Sequence, residues 1–174
     1  MSVTPSTLFS NIFTAFYNRL TADLIDPVSR NQSNQSTRWI FSSFPDADID
    51  AGKIKYPLII IEPINGKFDN WTLTKNVMAG SVNITVYSTS AAQADNLLDQ
   101  IQTSIDGHRR NFRSDDGLGS VLPTGTDSDW TMRGSTKIHF RNINYQFTKR
   151  FSSGVALTEI PKTLTSSAVI AAAP

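Results

Sequence analysis

The chain has no cysteine and only two histidines, His108 and His139, in 174 residues. Without thiols there is no disulfide framework, no thiolate metal site and no cysteine nucleophile. Two histidines distant in sequence are a poor metal-ligand set, so no metal or other cofactor is expected. The absence of disulfides leans towards assembly inside a cell. Charge is sparse and balanced: 16 Lys and Arg against 15 Asp and Glu leave a net +1. That is too little for the broad basic face of a dedicated nucleic-acid binder. No apolar segment nears the roughly 20 residues of a membrane span. No basic stretch followed by an apolar run opens the chain, so no signal peptide is expected. His-Glu-x-x-His, Gly-x-Ser-x-Gly, phosphate-loop and dinucleotide motifs are all missing, and Gly117-Leu118-Gly119 is too short to stand for one. An enzyme needs a nucleophile with a base, a metal, or paired carboxylates; none is legible, and no catalysis is expected.

What is present is scaffold. Val82, Ile84 and Val86 alternate with Ser81, Asn83 and Thr85, the period of a strand with one buried face. Ser90 with Gln93 forms a capping-box pattern, after which Ala94, Leu97, Leu98, Ile101 and Ile105 recur at helical spacing, with Gly107 placed for a left-handed cap. A first helix is predicted from about Pro5 to Ile25, its stripe of Phe9, Ile12, Phe13, Phe16, Tyr17, Leu20 and Leu24 forming core or, in part, packing on a neighbouring subunit. Residues 30–37 carry no apolar side chain and are expected to be a mobile loop. Arg38–Phe44 reads as a strand. Asp46, Asp48, Asp50 and Gly52 suggest a calcium loop, but the glycine is one place late and Pro57 stands where the glutamate belongs, so a solvated acidic loop is expected.

Tyr56–Ile64 is the most hydrophobic run and reads as a buried strand, followed by an Asn65-Gly66 turn and a meander of antiparallel strands. His108–Arg113 is a small basic cluster of the kind that usually forms a solvated face. The stretch to Gly125 reads as loop and Trp130–Met132 as a short strand. In the long last strand, Thr136–Phe151, apolar residues shift from even to odd positions, which suggests a β-bulge near Arg141-Asn142. One domain is expected over residues 1–151, with an extended or flexible arm over 152–174.

This order of elements over residues 5–151 resembles the tail terminator (tail completion) proteins of long-tailed bacteriophages and related viruses. Three segments carry the resemblance: Lys55–Glu62 (Lys-Tyr-Pro-Leu-Ile-Ile-Ile-Glu), Ser81–Ser88 (Ser-Val-Asn-Ile-Thr-Val-Tyr-Ser) and Ala91–Asp99 (Ala-Ala-Gln-Ala-Asp-Asn-Leu-Leu-Asp). The polar loop and the arm depart from the family. The resemblance implies an α+β fold with an antiparallel or mixed sheet of about four to five strands and two amphipathic helices on one side. It implies a homohexameric ring on the last ring of the tail tube, stopping polymerisation and presenting a surface for the head. The implied partners are further copies of the chain, the tail-tube protein, a head-completion or connector protein, and viral DNA crossing the lumen without sequence-specific contact. The implied location is the virion tail or neck, assembled in the host cytoplasm.

Ring contacts are expected on the arm (Val155, Leu157, Ile160, Leu164) and the polar loop (Arg30, Asn34), with Arg109, Arg110 and Arg113 facing a neighbouring ring or DNA. Competing readings are a head-closure, connector or tail-tube subunit, and a small nucleic-acid module stacking bases on Trp39, Phe41 and Phe44 beside Arg38.

Overall fold

The structure is a computed structural model and describes residues 5–30, 38–62, 65–70 and 75–152. Its first helix, α1 (Pro5–Asp23), buries Ile12, Phe16 and Leu20 of the stripe read from the sequence, together with Ala15. A two-residue strand, β1 (Ile40–Phe41), replaces the longer strand expected there. Next come a short helix, α2 (Asp46–Asp50), and β2 (Leu58–Ile61), which is buried along its whole length. Then follow β3 (Asn65–Asn70) and β4 (Lys75–Ser88). Asn65 and Gly66 are paired with Ser81 and Gly80 as part of β3 and do not form the expected turn.

Helix α3 (Ala91–Gly107) starts as the capping pattern requires: the Ser90 side chain accepts the Gln93 N–H at 3.5 Å. The return half of the box runs through Ser88, whose hydroxyl donates to Gln93 Oε1 at 2.6 Å and accepts the Ser90 N–H at 3.1 Å. At the other end Gly107 keeps an ordinary backbone, and the chain passes through His108 (φ −97°) directly into α4 (Arg109–Ser114). The basic cluster is therefore helical, because Phe112 is buried in the main core and anchors that turn.

Two long strands complete the chain, β5 (Leu118–Arg133) and β6 (Thr136–Ser152), joined at Gly134, whose φ of +61° suits the tight turn. The sheet has six strands in the order β1-β2-β4-β6-β5, with β3 also on β4; β1 and β2 are parallel, the other pairs antiparallel. The fold is thus α+β with a mixed sheet.

Two cores lie on opposite faces of this sheet. Under α1 and α3, Ile59, Ile61, Val82, Ile84, Val86, Ile143, Tyr145 and Phe147 form the main one. On the other face, at one end only, Leu58 and Ile60 join Ile54, with Phe41, Phe44, Ile49, Tyr56 and Tyr87 packed round them. This explains β6. Its register with β4 runs unbroken from Lys75↔Ser152 to Ser88↔His139, so the bulge expected near Arg141-Asn142 is absent. Ile138 is buried and Phe140 packs on Tyr87 (ring centroids 5.8 Å) on the second face, whereas Ile143, Tyr145 and Phe147 point to the helices. The apolar alternation changes phase because the covered face changes. The register shifts lie in β5, between Leu118 and Ser120 and between Pro123 and Gly125.

Candidate assembly surfaces

Several described groups capable of chemistry are held in structural contacts. Ser104 Oγ donates to Asp23 Oδ2 at 2.7 Å, and His108 Nε2 lies 2.9 Å from the same oxygen. A nucleophilic relay needs the imidazole between hydroxyl and carboxylate. Here the serine contacts the acid directly, so the three residues fasten the ends of α1 and α3 together. In the acidic run, Asp46 and Asp50 both hold Arg133, at 3.0 and 2.6 Å, while Asp48 pairs loosely with Lys53. Arg133 also covers the Phe44 ring (5.6 Å), so the run expected as a solvated loop is a helical turn clamped to the tip of the β5–β6 hairpin. Among the described residues no three His, Cys, Asp or Glu side chains cluster as metal ligands do. An open depression of about 560 Å³ on the uncovered sheet face is lined by Gly66, Ala79, Ser81, Ser120, Leu122 and Gln146, with no ionisable group for acid–base work.

Of the aromatics considered for base stacking, Trp39 is buried in the main core, and Phe41 and Phe44 lie partly buried against the second. Of the residues expected to make ring contacts, Arg30 is 5% exposed. Its guanidinium pairs with Asp26 (2.5 Å) and donates to the carbonyls of Lys55 and Pro57 at 2.7 Å each. It thus fixes the chain after α1 against the approach to β2 and is not offered to a partner. Arg109, the first residue of α4, pairs with Asp106 at the end of α3 at 2.8 Å. Arg110 and Arg113 are exposed and make no ion pair with a described residue. Asn34, Val155, Leu157, Ile160 and Leu164 lie outside the described residues.

The surface missed by sequence reasoning is β5. Among the described residues it is an outer strand of the sheet, pairing only with β6. Beyond Val121 nearly every residue of it is exposed. Among the described residues four large hydrophobic side chains are prominently exposed: Ile25, Leu122, Trp130 and Met132, the last three 51–53% accessible and all on β5. Trp130 and Met132 stand opposite His139 and Lys137, and the Lys137 ammonium lies 4.4 Å from the Trp130 ring centroid. Asp127 and Asp129, opposite Asn142 and Phe140, occupy the other face of the strand and form no ion pair with a described residue. The signal available in the sequence was Trp130-Thr131-Met132, two large apolar residues alternating inside a polar run.

No protein-family model matches the chain, and a search of curated protein sequences found no significant match.

Proposed function

We propose that this chain is a structural virion protein, a tail terminator. It closes into a homo-oligomeric ring on the last ring of the tail tube, ends tube growth and leaves its outer face for a head-completion or connector protein. Viral DNA crosses the lumen without sequence-specific contact. The observation that carries this reading is the concentration of exposed Leu122, Trp130 and Met132 on one long outer strand. A lone domain gains nothing from large apolar groups and unpaired backbone on a sheet edge, and unprotected edges invite pairing with other chains. Protein–protein assembly makes use of both. The α+β architecture, with helices on one side of the sheet, is the one the resemblance implies. The interactions of His108, Ser104 and Asp23 point to a tie between helices and away from an enzyme.

A second structural reading, a tail-tube subunit, is favoured by the length of the β5–β6 hairpin, 16 and 17 residues in its two strands. Electron microscopy of the purified full-length protein separates the two. Self-limited rings, or rings seen only at the ends of tail tubes, support the terminator. Open filaments growing with concentration support the tube subunit, and isolated monomers that ignore tubes count against both.

A further inference from the structure

We infer that the ring interface joins the Asp127/Asp129 segment of β5 in one copy to Arg110 and Arg113 of α4 in the next, a pairing that rests on the proposed ring. Both sets of charges are exposed and lack an ionic partner among the described residues. Their spacings match. Residues two apart on a strand lie on one face about 7 Å from each other. Residues three apart on a helix are neighbours at about 5–6 Å. Two long arginine side chains can therefore reach two aspartates at once.

They cannot meet within one chain. Helix α4 leads into the start of β5, where Phe112 and Leu118 share the main core. At about 3.3 Å per residue, Asp127 lies roughly 30 Å further along the strand. These two sets of charges can therefore pair only between molecules, and patch and complement are different surfaces of the same chain. Such a contact is heterologous: it repeats head to tail and closes into a ring when the rotation allows. A two-fold pairing of β5 with itself would place the same charges together only with its axis near Ser120. There the strand carries the register shifts at Leu118/Ser120 and Pro123/Gly125, and a proline that cannot donate to a ladder. Leu122, whose partner Gln146 lies on the same face of β6 as Asn142 and Phe140, shares the face of the acidic pair and supplies an apolar contact, while the charges set register and partner.

Charge reversal tests this. One variant carries Asp127→Lys and Asp129→Lys, the other Arg110→Glu and Arg113→Glu; every substituted side chain is exposed, and circular dichroism and the melting temperature check that both variants fold. Each variant alone brings like charges together, and its half-assembly concentration is expected to rise about a hundredfold or more. Mixed in equal amounts, the two restore complementary charge at every junction of an alternating ring, so oligomers of wild-type mass return and contain both variants. Folded variants that assemble separately like wild type, or a mixture that fails to reassemble, overturn the pairing while leaving the ring standing. A mixture that stops at two copies overturns the head-to-tail arrangement. Wild-type protein that never forms a ring, alone or on tail tubes, removes the ring and this inference together.

Discussion

Arg30 shows how far a single side chain can depart from the look of its neighbourhood. It opens a polar run in the sequence, yet its guanidinium is enclosed by Asp26 and two carbonyls from the segment before β2. Those carbonyls, at Lys55 and Pro57, belong to residues 25 and 27 positions away, so no local pattern announces the contact. Removing one partner of a buried ion pair leaves the other uncompensated. Arg30→Ala is expected to destabilise the fold by about 3 kcal/mol, read from urea unfolding. Arg30→Lys is expected to recover little of it, because an ammonium lacks the planar fork that meets three acceptors. Tyr145 is the opposite case. Its ring is fully buried in the main core and its hydroxyl has no hydrogen-bond partner among the described residues. Tyr145→Phe is therefore expected to leave stability unchanged or raise it by up to about 1 kcal/mol in the same assay. Burial also raises the pKa of Tyr56, Tyr87 and Tyr145 above the ordinary 10.0, and the nearby Asp106 adds to the effect at Tyr145. A phenol with a raised pKa keeps its proton in the fold after the unfolded chain has lost its own. The stability these groups contribute is present below pH 10 and is lost as the pH climbs through their folded values. Absorbance titration is expected to show them ionising late, together with alkaline unfolding.

At the scale of elements, legibility followed burial. The Val82 strand and α3 are plain in the sequence because Val82, Ile84 and Val86, like the stripe of α3, fall on one face against the main core. In β6 the alternation was seen, but its change of phase was assigned to a bulge; a second core on the opposite face, built from residues far earlier in the chain, is the actual cause. Strand β5 was read mostly as loop because neither face of its outer half is buried, so glycine, serine, aspartate and threonine occupy both. Its conformation is imposed by pairing with β6, a case of tertiary context overriding propensity. Helix α2 has no buried residue, and its side-chain ties to the rest of the fold include the Arg133 clamp. Arg133→Ala is expected to speed amide hydrogen exchange across Asp46–Lys53 while the α3 amides stay protected, a local loosening that mass spectrometry resolves.

For the whole molecule, the described residues leave their longest apolar and acidic exposed surface along the outer strand β5. Helices cover one sheet face and the α2 segment covers part of the other, while β5 keeps its apolar and acidic side chains exposed. The outer strand of a sheet is where a chain is most readily extended by another copy. The architecture is legible in the sequence, and so are Arg109, Arg110 and Arg113 as a basic cluster; the acids proposed as its complement are not, because their exposure on one face depends on β5 being a strand. The most direct measurement is the molar mass of the purified full-length protein by light scattering across concentration and salt. The account predicts a closed homohexamer that loosens as salt screens its exposed charges, or a monomer that becomes a ring on tail tubes. A strict monomer at every concentration, indifferent to tubes, would contradict it.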